Sequence, residues 1–149
     1  MPIGELCVRQ VVIASRDTSV LDAAKLMRHH HVGDIVVTEE SNGRRVPVGI
    51  VTDRDMVLEV LAEELDPRRI SVEDIMNPEL ITVRESEETL PAIQQMRAKG
   101  VRRVPVVRDD GALAGILAVD DLLELLAEEM GELAKLIARE QKREVELRR

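Results

Sequence analysis

The chain has 149 residues, 44% hydrophobic and 34% charged, with a formal net charge of −8, which is one domain's worth of chain with room for a real core. That acidity excludes a broad nucleic-acid surface, and the absence of Phe, Tyr and Trp removes the platforms on which single strands stack. No apolar run nears the ~18 residues of a membrane span and the first residues lack a signal-peptide pattern, so the cytoplasm is the expected compartment. The single cysteine, Cys7, cannot form an intrachain disulfide and reads as a small apolar residue.

In chain order, Val8–Ala14 is short and apolar, a strand or an extended lead-in. Thr18 is placed to cap a helix whose Val20, Leu21, Ala23, Ala24 and Met27 recur at three- and four-residue steps. His29, His30 and His31 follow; neighbours on a helix point about 100° apart, so three in a row read as a solvated helix end rather than a metal site. Asp34–Thr38 is a strand, Asn42-Gly43 marks a tight hairpin turn, and Val46–Val51 is the returning strand. Arg54–Leu65 reads as a helix, broken by Asp66-Pro67-Arg68-Arg69, the link between two halves.

The order of elements then recurs. Ser71–Asp74 starts one helical turn ending near Met76, Ile81–Val83 is extended, and Thr89–Lys99 is helical with Pro91 in its first turn. Val104–Val107 and Leu113–Leu117 are strands joined by an Asp109-Asp110-Gly111 turn. Leu21, Ala23, Met27, Arg28, Val32 and Val37 align with Leu90, Ala92, Met96, Arg97, Val101 and Val106 at a spacing of 69. Gly49, Ile50 and Asp55 align with Gly115, Ile116 and Asp121 at 66, which makes the first hairpin three residues longer. An internal duplication follows. The expected fold is α/β, a pseudo-two-fold pair of β-α-β-β-α units packed face to face. Beyond it, Leu126, Met130, Leu133 and Ile137 form a narrow seam on a C-terminal helix, which packs either on its own domain or on a partner helix. The domain reading is 5–65, 72–128 and a helical extension, 129–149.

The candidate site lies where strand gives way to helix. In Gly49-Ile50-Val51-Thr52-Asp53-Arg54-Asp55 and its counterpart Gly115-Ile116-Leu117-Ala118-Val119-Asp120-Asp121, a helix N-terminus would offer backbone amides and a positive dipole end. Thr52 and Asp55 also fit a capping box, a purely structural role. The acid recurs as Asp121 where Ala118 breaks the box. A carboxylate is a double acceptor suited to a vicinal diol. It would repel a phosphate, so Arg54, Arg102 and Arg103 are the expected cations.

With these motifs and the Arg102-Arg103-Val104-Pro105-Val106-Val107 strand, the chain over about residues 5–128 resembles a tandem pair of cystathionine beta-synthase (CBS) domains, the Bateman module. It is most similar to stand-alone prokaryotic CBS pairs. The resemblance implies a regulatory module that binds AMP, ADP, ATP or S-adenosylmethionine in the cleft between the motifs. It puts Asp55 and Asp121 on ribose hydroxyls, Thr52 on ribose or phosphate, and Arg102 and Arg103 toward phosphate, with Asp120 beside the second site. The base would lie against Val12, Ile13, Ile81 and Pro105. Ala118 departs from the pattern and weakens the second site. The resemblance also implies a homodimer formed through the CBS helices.

The alternative reading is a degenerate CBS pair serving assembly without a ligand. Enzymatic function is poorly supported, because no nucleophile with a base, metal-ligand spacing or phosphate-binding glycine loop appears. No catalytic cofactor, nucleic acid or membrane partner is expected.

Overall fold

The structure, a computed structural model, describes residues 1–148. Its elements run α1 (Ile3–Leu6), β1 (Ile13–Ser15), α2 (Val20–His30), β2 (Asp34–Ser41), β3 (Arg44–Thr52) and α3 (Asp53–Met56), which continues into a π-helical turn, Val57–Leu61. They repeat as α4 (Val72–Ile75), β4 (Val83–Arg84), α5 (Thr89–Lys99), β5 (Arg103–Val107), β6 (Leu113–Ala118) and α6 (Val119–Leu147). Two three-stranded sheets result, ordered β1-β2-β3 and β4-β5-β6. In each, the first strand lies parallel to the second across a helical crossover, Ile13 beside Val36 and Val83 beside Val106. The mixed α/β architecture expected from the duplication is the one found.

Local chemistry accounts for most boundaries. Asn42 and Gly43 have φ of 52° and 75°, the left-handed pair a two-residue hairpin turn requires, so Ser41 faces Arg44 and β2 and β3 align antiparallel. The cap of α2 is Ser19, whose hydroxyl accepts from the Asp22 amide at 3.0 Å, and not Thr18. The Thr18 hydroxyl instead accepts from the Ser15 amide at 3.1 Å and closes the turn before the helix. His31 ends α2 in a left-handed conformation with φ of 55°, while His29 and His30 are exposed and meet edge to face at 4.8 Å.

The helix expected over Arg54–Leu65 is shorter and wound differently. The Ala62 amide reaches the Val57 carbonyl and the Leu65 amide reaches the Val60 carbonyl, both five residues back. Glu64, at φ of 56°, ends the run. A π-turn of this kind sits in a helix without breaking its axis.

The leading helical turns exchange places. The α1 backbone bonds the second repeat, Ile3 N–H to the Glu87 carbonyl and Gly4 N–H to the Glu85 carbonyl, both 2.8 Å. The α4 backbone bonds the first, Val72 N–H to the Thr18 carbonyl at 2.8 Å and Glu73 N–H to the Arg16 carbonyl at 3.3 Å. Ile3 with Val72, and Glu87 with Thr18, are each 69 residues apart, so the duplication reaches back to Ile3 and its opening segment is swapped. Ile3 and Val72 are both fully buried. Val72 enters the core of the first repeat with Ala14, Ala23, Met27, Ile35, Val37 and Val51. The expected Val8–Ala14 strand divides accordingly, with Val8 bridging to Ile116 of β6 and Ile13–Ser15 pairing with β2.

That exchange explains the two motif glycines. A Cβ on Gly49 would collide with the Met76 side chain, and one on Gly115 would lie 2.7 Å from the Val8 carbonyl and 2.8 Å from Cys7 Sγ. Cys7 and Met76 are again 69 apart, so each glycine makes room for the segment the other repeat sends across. Burial pushes the half-buried Cys7 thiol above its ordinary pKa, against the opposing pull of Arg9.

The chain divides into two compact units, Met1–Leu117 and the stretch from Ala118 onward. The second is the 29-residue helix α6, with Asp120 and Asp121 in its first turn, where carboxylates complement the helix dipole. No helix among the described residues is long and apolar enough to cross a membrane.

Candidate ligand-binding site

A cavity of about 450 Å³ opens where β3 runs into α3. The first repeat supplies Ile50, Thr52, Asp53, Arg54 and Asp55; the second supplies Asn77, Glu79, Leu80 and Ile81 from the stretch after α4, and Val101, Arg102 and Arg103 from the start of β5. Six of the residues singled out from the sequence meet here: Thr52, Arg54, Asp55, Ile81, Arg102 and Arg103.

The others lie elsewhere, for physical reasons. Val12 and Ile81 are 69 residues apart and hold equivalent places in the two repeats, so one cavity does not take both. Val12 and Ile13 line a separate cavity of about 680 Å³ with Arg9, Gln10, His30 and Val32. Pro105 is fully buried in β5, the central strand of its sheet, and lines neither. Asp120 and Asp121 belong to the second unit, at the start of α6. As the broken motif implied, Ala118 gives α6 no side-chain cap.

At the α3 terminus the capping box is complete. Thr52 Oγ1 accepts from the Asp55 amide at 3.1 Å, and Asp55 Oδ2 accepts from the Thr52 amide at 2.9 Å. The Arg54 amide donates to Asp53 Oδ1 at 2.8 Å, and the Asp53 amide to the Gly33 carbonyl at 3.0 Å. The first amides of α3 are therefore spent internally. This corrects the expectation of open backbone donors there, and anion attraction falls to the arginines. Asp55 keeps Oδ1 for an outside donor, because its one bond in the box uses Oδ2.

Charge in the cavity is balanced, with three arginines, Arg54, Arg102 and Arg103, against Asp53, Asp55 and Glu79. Arg103 also reaches back through Nε to Asp34 Oδ2, an ion pair that joins the start of β5 to the start of β2. Burial pushes the Asp34 carboxyl above its ordinary pKa; Arg103 pulls it down and nearby Asp53 pushes it up. Asp53 lies over Gly33, where a Cβ would sit 3.1 Å from Oδ2. Gly33-Asp34, the first repeat's counterpart of Arg102-Arg103 at the spacing of 69, shapes this site together with Asp53, and that inequality between the repeats is legible in the sequence. Apolar Ile50, Leu80, Ile81 and Val101 complete a wall able to hold a flat, uncharged ring.

The CBS domain model matches residues 3–62 and again 72–128. This chain belongs to the CBS-domain family. An uncharacterised protein of Methanopyrus kandleri is 36% identical over 123 residues, which cover 83% of this chain and 61% of that protein. The CBS chain thus spans about three fifths of that relative's length. Among solved structures, the CBS domain protein PAE2072 from Pyrobaculum aerophilum complexed with AMP superposes with a TM-score of 0.73 at 30% identity, covering 85% of this chain and 99% of that one. The CBS domain pair of protein MJ0100, in complex with 5′-methylthioadenosine and S-adenosyl-L-methionine, superposes at 0.74 with 25% identity, covering 87% and 98%.

Proposed function

We propose that this CBS pair is a non-enzymatic regulatory module that binds an adenosine-containing ligand, AMP, ADP, ATP or S-adenosylmethionine, in the cavity beside Thr52. The observation that carries the reading is the company Asp55 keeps. A carboxylate with one oxygen outside the capping box, three arginines and an aliphatic wall meet in about 450 Å³, within the roughly 300–1,000 Å³ of small-molecule sites. Asp55 accepts from the ribose diol, Arg54, Arg102 and Arg103 face phosphate, and the base lies against Ile50, Leu80 and Ile81. The adenosine ligands of PAE2072 and MJ0100 support it. The same proposal includes a homodimer through the helices of the repeats, whose Val57, Leu58, Leu61, Leu90 and Ile93 are exposed.

A competing reading, a CBS pair kept for assembly alone, rests on the complete capping box, which already gives Thr52 and Asp55 a structural role. Isothermal titration with AMP, ATP and S-adenosylmethionine separates the two. Saturable heat with at least one supports the sensor; none at millimolar concentration favours the scaffold.

A further inference from the structure

Helix α6 carries an apolar face with no partner among the described residues. Leu123, Leu126, Met130, Leu133 and Ile137 recur at steps of three and four, and all are between 50% and 69% exposed. At about 100° per residue they share about 80° of the helix circumference. Ala127, Gly131, Ala134 and Ala138, each one residue further on, fill the adjoining about 60°. Between Asp121 and Arg143 no charged residue falls within this combined sector. A glycine inside a helix costs about 1 kcal/mol relative to alanine, and a Cβ on Gly131 would meet nothing within 4 Å. Nothing among the described residues accounts for the glycine, whereas a helix approaching along the small-residue strip would.

The charges identify the occupant. From Val119 to Glu132 the helix carries six carboxylates, Asp120, Asp121, Glu124, Glu128, Glu129 and Glu132, and no base. From Leu133 to Arg148 it carries five basic and three acidic side chains, a net +2. Two such helices side by side in parallel set acid against acid along half their length. Laid antiparallel, each acidic half runs beside a basic one.

We propose that α6 pairs antiparallel with α6 of a second copy of this chain. Leu126 packs against the partner's Ile137 and Met130 against the partner's Leu133, the a-to-d layering of an antiparallel coiled coil. The Ala127 and Ala134 strips meet on one flank and let the helices approach closely, and each acidic half lies along the partner's basic half. Leu123 and Leu126 lie in the last helix of the second repeat, Leu123 being the counterpart of Val57, so the contact carries the helix face proposed for the homodimer on past residue 128, and it does not depend on the ligand reading.

Cysteine cross-linking tests both the contact and its direction. In the full chain carrying Cys7→Ala, Leu126→Cys and Ile137→Cys are made as separate variants and oxidised alone or mixed. Antiparallel pairing gives a disulfide-linked dimer at least tenfold faster in the mixture than in either variant alone. Cross-linking of each variant with itself at the mixture's rate would make the pairing parallel and overturn the proposal. No cross-link in any arm would mean that the chain's own body, or a different protein, covers this face. Sedimentation of the unmodified chain and of Leu133→Glu supplies a second readout: the substitution lowers the association state and leaves the circular dichroism of the repeats intact, and an unchanged association state refutes the contact.

Discussion

Replacing Asp55 separates its two roles by magnitude. In Asp55→Ala the Thr52 amide loses its 2.9 Å acceptor and half of the capping box disappears. Loss of such a cap costs about 1 kcal/mol, which for a chain of this length lowers Tm by about 2–4 °C. If Oδ1 accepts from a ribose diol, the same change also removes a hydrogen bond to a charged group, worth about 1.5–3 kcal/mol, and raises the Kd for AMP roughly 10- to 150-fold. Asp55→Asn keeps a neutral oxygen for the Thr52 amide and loses the charge that grips the diol. Its Tm is therefore expected near that of the parent, with AMP binding weakened in the same direction as in Asp55→Ala. Differential scanning calorimetry reads the first quantity and isothermal titration the second. A Tm that drops by the few degrees of a cap while both variants bind AMP as the parent does would refute the argument and leave Asp55 a capping residue alone.

The Asp34–Arg103 pair gives a pH-linked prediction. Burial raises the Asp34 pKa, so the folded chain holds that proton more tightly than the unfolded chain, and this carboxyl's share of stability rises as pH falls through its folded pKa and levels off below the ordinary value of 3.8. Asp34→Asn flattens that part of the stability profile, measured by urea unfolding at several pH values, and a profile identical to the parent's would count against it. The same substitution frees Arg103 for a phosphate, so AMP should bind ~2- to 5-fold tighter, on the scale of a half-exposed ion pair, with adenosine unchanged. The two glycines should also differ. Gly115→Ala drives a methyl into the Val8 carbonyl, which is backbone, whereas Gly49→Ala meets the flexible Met76 side chain. The former should cost about 1–3 kcal/mol and the latter less; equal Tm losses would show that the crossing segments move freely.

The repeat, the sheet strands and the hairpin were legible because each has a local cause: periodicity in α2 and α5, Asn-Gly at the turn, and matched spacings of 69 and 66. The residues gathered at the cavity were legible in part. Thr52, Arg54 and Asp55 share one short segment, and the arginines stand at the head of a recognisable strand. What could not be read was which apolar residues accompany them, because Val12 and Ile81 are twins in sequence and only the folded chain assigns each to its own cavity. The exchange of α1 and α4 was hidden for a similar reason. A four-residue turn carries too little pattern to show which sheet it will cover, and its docking is decided by backbone bonds to Glu85, Glu87, Thr18 and Arg16.

That crossing of opening segments has a bearing on how the chain is made. On the ribosome, the earliest residues to emerge, Ile3 and Gly4, must wait for Glu85 and Glu87, which are translated some eighty residues later. The half built first meanwhile lacks Val72 from its interior until the linker has cleared the exit tunnel. Every member of that first core lies between Val12 and Met76, so this half can close as soon as α4 emerges, while the leading turn stays undocked until Glu85 and Glu87 follow.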